Sequence, residues 1–464
     1  MAKEKHISIR QVELTGIDRA MNRILKDTFR IEQAALDYLC SVALEEWASL
    51  EGLDSQGRLT QVEKLIHKTA RNPEPKYADF DTRFPKLPSY IRRALINAAT
   101  GAVSSYQTRL ADYSSRKHEA MSNGRRFREK PPVFNSSNAC VTMYKGQTYD
   151  RKFKTIIIKV YRQKSWQWVR VTMPSRDYRD LERALGRAKK VYCPSVVYKY
   201  HKYYLAFPLE YPCYGFADVG LCDQTVLSVD LGVNHGAVCS VVGFKGNISF
   251  RAFDPFRRER SAVNRCIATI RHVAKKSGTG QSLSAVYQKL DGLKDNYVKQ
   301  LSHWIVMQAV RNEVYGIVLE TFGRMKGRGR KKDRIHHWCK CKIRDYVRGM
   351  AFRYGIRVFL VNPKNTSALA YDGSGEVVRD ENNFSQCTFA SGKRYACDLG
   401  ASYNIGARYF LRAIQKAMAS EPWEQLKAEV PELATRTRCT LSTLWKVSGI
   451  LDRDLRYGFV PDAA

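Results

Sequence analysis

An ionisable side chain interrupts an apolar run at residues 226–242, VLSVDLGVNHGAVCSVV. Val226-Leu227-Ser228-Val229 and the stretch from Gly236 to Val242 are rich in β-branched and small apolar residues, with Gly232 two positions after Asp230. That pattern predicts two adjacent buried strands joined by a short turn. A carboxylate at such a place loses hydration, which is tolerated when a cation or hydrogen-bond donors replace the water. Asp230 therefore either caps a turn or holds a metal ion.

The anomaly repeats. In YGIVLETF, Glu320 follows Ile317-Val318-Leu319 at the end of a predicted strand. In ACDLGASYNIGARYF, Asp398 opens a predicted helix whose small and apolar positions Leu399, Ala401, Ile405, Ala407 and Tyr409 can face a sheet. Each acid alone has a plain structural role available: turn acceptor, strand-end charge or N-cap. Ligand sites gather at the carboxyl ends of α/β strands, and acids so far apart along the chain can meet only in the fold. Taken together, Asp230, Glu320 and Asp398 point to a metal site. Mg²⁺ takes oxygen ligands and keeps some of its waters, so a few carboxylates suffice to hold it. Two such ions can activate water and stabilise a departing oxygen at a phosphodiester.

The charge balance agrees with that substrate. Against 45 Asp and Glu stand 78 Lys and Arg, a formal net charge of +33 in 464 residues. A surplus of that size repels itself unless a polyanion neutralises it, which favours nucleic acid over small acidic substrates or a membrane surface. No long apolar segment or signal core is present, so a soluble, non-secreted protein is expected. The twelve cysteines have no framework spacing and read as small core residues of a reducing compartment.

The pattern along the chain predicts a multidomain, bilobed protein. A first strand occupies 1–17, and a helical lobe 18–139 has helices over about 18–50, 60–70, 88–112 and 115–121. Residues 140–222 carry β-rich segments and one helix near 176–189, suggesting a small antiparallel β-barrel. From 223 to 412 an α/β pattern holds a helical insertion at 255–313, and 413–464 form a helical tail.

Asp230-Leu-Gly-Val-Asn, Ile-Val-Leu-Glu320 and Cys-Asp398-Leu-Gly-Ala-Ser-Tyr-Asn404-Ile-Gly resemble the three RuvC segments of TnpB and of the compact type V CRISPR effectors. Asn362-Pro363-Lys364-Asn365-Thr366-Ser367 is similar to a motif these proteins carry between the second and third segments. The resemblance covers residues 225–412 well and is architectural before that. It implies an α/β RNase H-like (RuvC) nuclease domain, a helical recognition lobe and a wedge barrel. It further implies an Mg²⁺-dependent, RNA-guided DNA endonuclease of the prokaryotic cytoplasm and nucleoid, with Asp230, Glu320 and Asp398 as catalytic ligands of two Mg²⁺ (Mn²⁺ as a substitute). Its implied partners are guide RNA, target double-stranded DNA and their RNA–DNA heteroduplex, with no membrane and no small-molecule substrate. Such proteins normally hold a four-cysteine zinc ribbon before the third acid. Here Ala370 and Gly373 stand where the first cysteine pair would fall, so no zinc is expected and residues 365–397 form a degenerate ribbon.

Basic segments supply the nucleic-acid candidates. The run after Glu320 offers Arg324, Lys326, Arg328, Arg330, Lys331 and Lys332 as phosphate contacts. Arg257, Arg258 and Arg260 open the helical insertion. Tyr198, Lys199, Tyr200 and Lys202 alternate rings with charges and could stack bases, although alternate aromatics are commonly core. His336, His337, Cys339 and Cys341 lie on one predicted helix and point around its axis, which speaks against a metal there. Two rival functions differ in class: a guided DNA-binding repressor that does not cut, and an unguided RNase H-like resolvase or transposase. Retention of the acids opposes the first, and the roughly 220 residues before Asp230 oppose the second.

Overall fold

The computed structural model describes residues 5–124, 126–138, 141–232, 235–276, 284–321, 331–383 and 385–453, with the backbone alone for 138, 274–276, 284 and 331–338. The chain forms two compact units, Met1–Tyr211 and Pro212–Ala464.

In the first unit, β1 (His6–Leu14) alternates as its sequence does. α1 (Arg19–Glu45) begins where Asp18 accepts the Met21 N–H at 2.7 Å, an N-cap that satisfies one orphan donor. α2 (Trp47–Leu50), α3 (Ser55–Ile66), α4 (Asp79–Arg83) and α5 (Ser89–Ser122) follow. Leu36, Leu39, Leu50, Ile66, Phe80, Leu95 and Ile96 make their shared core. The two helices expected over 88–112 and 115–121 are one: Asp112-Tyr113-Ser114-Ser115 are modest helix formers but contain no breaker, so the helix propagates through them.

The β-rich segment of this unit is not a closed barrel among the described residues. β2 (Tyr149–Lys152), β3 (Thr155–Arg162) and β4 (Ser165–Thr172) form one antiparallel sheet. After α6 (Ser175–Gly186), β5 (Lys190–Val191), β6 (Ser195–Lys199) and β7 (Lys202–Tyr211) form another with β1. The sheets share a core of Val12, Leu14, Ile156, Ile158, Val160, Val171, Leu205, Phe207 and Leu209. Among the described residues, an isolated bridge between Thr15 and Thr172 joins the end of β1 to β4. The ladder stops there because the chain turns away at Gly16 (φ +75°) and then at Pro174, which has no N–H to donate.

The second unit is built on a five-stranded sheet in the order β10-β9-β8-β11-β12. β8 (Thr225–Asp230), β9 (Val238–Gly243) and β10 (Ile248–Phe253) are antiparallel neighbours, whereas β11 (Gly316–Glu320) and β12 (Arg357–Val361) run parallel to β8. The crossover to β11 is a helical pair, α7 (Arg257–Lys276) and α8 (Ser284–Arg311), and α9 (Lys331–Arg353) precedes β12. Between β12 and α10 (Cys397–Ala417) lie β13 (Val378–Arg379), β14 (Gln386–Thr388) and β15 (Arg394–Ala396), a small antiparallel sheet. Ala370, Cys387, Phe389 and Cys397 form its core with Tyr371, Val377 and Tyr395 packed against them. Ala370, standing where the resemblance would put a cysteine, is 1% exposed there, so apolar packing holds this segment.

Both faces of the large sheet are covered, which is why β8 and β11 read as nearly continuous apolar runs. Val226 and Val318 face α10, and Leu227, Val229, Ile317 and Leu319 face α8 and α9. The helix α10 lies close on the sheet because position 406 is glycine: a Cβ there would come 2.5 Å from Val242 Cγ2. The tail belongs to this core. Trp423 and Leu426 of α11 (Ser420–Glu429), with Leu444 and Val447 of α12 (Leu441–Arg453), join Tyr403, Phe410 and Ile414 of α10.

Candidate nuclease centre

The three acids are brought together by register, by strand parity and by the start of a helix. Ser228 pairs with Val318 in the parallel ladder, so Asp230 and Glu320, two residues further on each strand, end neighbouring strands at one level. Side chains alternate along a strand. Asp230 therefore shares the face of Val226 and Ser228, and Glu320 that of Val318, both under α10. Asp398 occupies the first turn of α10. Asp230 is 8% and Glu320 7% exposed.

Their electrostatics register the convergence. Burial raises the Asp230 carboxyl well above its ordinary pKa, and the charges of Glu320 and Asp398 raise it further. Burial likewise raises Glu320 and Asp398. Lys340 of α9 opposes the shift at all three acids; Arg379 of β13 opposes it at Asp230 and Asp398. Three acids with raised pKa values sharing one site favour an added cation, and hard carboxylate oxygens suit a divalent metal such as Mg²⁺. Among the described residues, no group of three or more His, Cys, Asp or Glu side chains is arranged so that it could hold a metal ion. The donor set fits such an ion in kind.

The surrounding side chains fix these carboxylates from outside. Thr366, 3% exposed, donates its hydroxyl to Glu320 Oε1 at 2.6 Å. Asn404, fully buried on α10, donates to the carbonyls of Thr366 and Leu369 at 3.0 Å and accepts the Leu441 N–H. Arg408, one turn on, donates to the carbonyls of Asn362, Lys364, Thr437 and Cys439. The segment 362–367 is thus strapped to α10 at both ends, and with it the hydroxyl that holds Glu320. On the other strand, the turn after Asp230 passes so near α10 that a Cβ at Gly232 would lie 2.7 Å from the His235 carbonyl and 3.2 Å from Asp398 Oδ2. Buried Asp254 fixes the far side of that turn by accepting the Gly236 N–H at 2.7 Å.

The sequence-predicted contact residues fall into three groups. Arg257 and Arg258 are exposed in the first turn of α7. Tyr198 is 46% exposed, and the Lys199 ammonium lies over the Tyr200 ring in a two-residue hairpin turn whose Tyr200 and His201 have φ of +52° and +61°. Two others are structural. Arg260 donates to both oxygens of Asp254 at 3.1 Å, where the acid is fully buried, so its charge serves the turn below Asp230. Lys202 pairs with Glu13 at 2.8 Å across the β1–β7 ladder. Arg324, Lys326, Arg328 and Arg330 lie outside the described residues, as do the side chains of Lys331, Lys332, His336 and His337. Cys339 is a core residue between α8 and α9.

Sequence patterning did not single out Lys340, Arg379 or Arg408. Arg408 had a legible signal, since a cation inside the apolar helix face IGARYF is the same kind of anomaly as Asp230. Lys340 and Arg379 had none, because which lysine of a basic helix turns toward the acids is set by packing.

Among solved structures, the chain is similar to the mini-RNA-guided endonuclease CRISPR-Cas_phi3, at 12% identity and a TM-score of 0.50, over 86% of this chain and 92% of that one. It also matches CasPhi-2 (Cas12j) bound to crRNA and phosphorothioate DNA, at 11% identity and a TM-score of 0.49, over 87% and 91%. The Alicyclobacillus acidoterrestris C2c1 complex with single-guide RNA matches at 11% and 0.35, over 82% and 68%. Residues 8–162 match the model of the Aq_aa04 family. No curated protein matches the sequence. The first of these likenesses shows a fold shared with that endonuclease.

Proposed function

We propose that the chain is an RNA-guided DNA endonuclease that cuts phosphodiester bonds at the Asp230–Glu320–Asp398 centre. The observation that carries this reading is the meeting of two buried acids at the ends of neighbouring strands, Asp230 and Glu320, with the half-buried Asp398 in the first turn of α10 above them. The strand order and the acids at the carboxyl ends of β8 and β11 suit an RuvC-type nuclease. The fold shared with a mini-RNA-guided endonuclease supports guide RNA, target double-stranded DNA and their heteroduplex as partners.

Asp230, Glu320 and Asp398 would hold the divalent ions. Two Mg²⁺ held there would supply a nucleophilic water and stabilise the leaving oxygen. The chain's own residues prepare that site. Thr366 keeps Glu320 in one rotamer, Gly232 lets the backbone pass beside Asp398, and Lys340 and Arg379 bring positive charge toward the phosphate. Base pairing would select the target, while the protein reads duplex shape and a short flanking motif.

The test is to purify the protein with its co-expressed RNA and add matching DNA and magnesium. Target-dependent cutting that Asp230→Ala abolishes, with guided binding kept, is the expected result. Absence of bound RNA, or cutting that ignores the target, would overturn the guided reading. Guided binding without any magnesium-dependent nick would instead identify a repressor.

A further inference from the structure

The first unit contains a cavity of about 440 Å³ between α1, the start of α5 and the strands β3 and β6. This lies within the roughly 300–1,000 Å³ typical of small-molecule pockets. Phe29, Ile158 and Val196 give it apolar walls, and Glu32, Lys159 and Tyr198 line it as well. One wall is aromatic: Phe29 stacks on Tyr203 at 5.9 Å, and Tyr198 packs on Tyr203 at 4.7 Å.

Glu32 is the anomaly. Among the described residues, no side chain or backbone N–H donates to its carboxylate, and no cation pairs with it. The donors around it are engaged elsewhere. Thr28 donates to the Ile24 carbonyl at 2.8 Å, Gln33 to Asp37 at 2.7 Å, and the Lys159 ammonium lies over the Trp168 ring at 5.3 Å. Burial pushes the Glu32 carboxyl up to about 7. The Glu32 side chain is half-buried at the wall of this cavity, and in a chain of net charge +33 a basic partner was available and is not used. A concave site with apolar walls and a few polar groups, here Glu32 beside Thr28, Gln33, Thr142 and Thr148, is the usual form of a binding pocket.

We propose that this cavity receives one unpaired guanine base, its N1–H and N2–H groups donating to the two oxygens of Glu32 and its face resting on the aromatic wall. Once ionised, above about pH 7, the Glu32 carboxylate has two acceptors side by side and no donor. Guanine presents two adjacent donors on its Watson–Crick edge. Adenine and cytosine present one donor beside an acceptor, and uracil one donor between two acceptors, so each sets a lone pair against a Glu32 oxygen. The inference takes from the proposed function only that the partner is nucleic acid. The base can come from an RNA or from DNA.

Binding of guanosine, inosine and adenosine to the metal-free full chain, measured by calorimetry above pH 7, where Glu32 is ionised, tests it. Neutral nucleosides avoid the general attraction of phosphates to a basic protein, and inosine lacks only the 2-amino group. Guanosine is expected to bind at least about tenfold more tightly than either, as for a bidentate pair. Glu32→Gln should erase that preference, with an unchanged or higher melting temperature showing that the variant folds. Equal binding of guanosine and inosine, a preference for adenosine, or a guanosine preference surviving in Glu32→Gln would overturn the proposal. Photo-cross-linking with 6-thioguanine placed in either the co-purified RNA or the target DNA assigns the source by which strand attaches at Phe29 or Tyr198. Attachment from neither overturns it. A protein that binds guanosine but fails to cut guided targets would sink the nuclease reading and leave this one standing.

Discussion

At the residue scale, the carboxylates that make the centre also strain the fold. Burial and mutual repulsion raise the carboxyl pKa values in the folded chain. The folded state then holds these protons to higher pH than the unfolded chain does. Their contribution to stability is full below about pH 4, the unfolded value, and is lost as pH rises through the raised folded values. Metal-free protein should therefore melt lower at neutral pH than at mildly acidic pH. Asp230→Asn should flatten that dependence and raise the neutral melting temperature, and magnesium should stabilise the wild type more than the variant. An Asp230→Asn melting curve with the same pH slope as wild type would mean the acids do not interact as described. Thr366 gives a second prediction. Thr366→Val keeps the shape but removes the hydrogen bond to Glu320, a bond to a charged group worth about 1.5–3 kcal/mol. Cleavage should fall roughly ten- to hundredfold, and Thr366→Ser should restore most of it. If valine cuts as fast as threonine, Glu320 is positioned by something else.

At the element scale, α10 carries the site because it lies directly on β8 and β9. Ser402 bonds to Ser240, which lies within 3.4 Å of Ser228, and the glycine at 406 permits the approach. Gly406→Ala should destabilise the protein by about 1–3 kcal/mol through overpacking, read as a lower denaturant midpoint. Adding Val242→Ala should recover part of that loss, because the two side chains compete for one space. Lack of any recovery would show that the helix, and not the contact, is at fault. Much of this layer was legible beforehand. The apolar run 226–229 and the helix from Asp398 follow from periodicities of 2 and 3.6. The barrel was not legible: segment lengths and turns are alike in a closed barrel and in two facing sheets, and only the isolated Thr15–Thr172 bridge distinguishes them.

At the scale of the whole molecule, the charge of +33 and the proposed function together predict an affinity for nucleic acid that falls with salt, with a log–log slope near 0.9 per neutralised phosphate on duplex DNA. Arg257 and Arg258 are exposed, so replacing both with glutamine should lower the slope by about one to two. Lys202 pairs with Glu13, so Lys202→Gln should leave the slope unchanged while lowering affinity little. A slope that follows Lys202 and ignores the arginines would reverse this assignment.

The amino-acid sequence alone determined which strands are buried, where α1 and α10 begin and which three acids are anomalous, because each of these depends on neighbours within a few positions. Only the tertiary structure decided which charges are spoken for. Arg260 and Lys202 carry the same charge as Arg257 and Lys199. What separates them is a buried Asp254 in one case and a cross-strand Glu13 in the other. The same holds for Glu32, whose lack of a donor is a property of the cavity around it. Local pattern selects the face a residue joins, and long-range packing selects the partner it meets there.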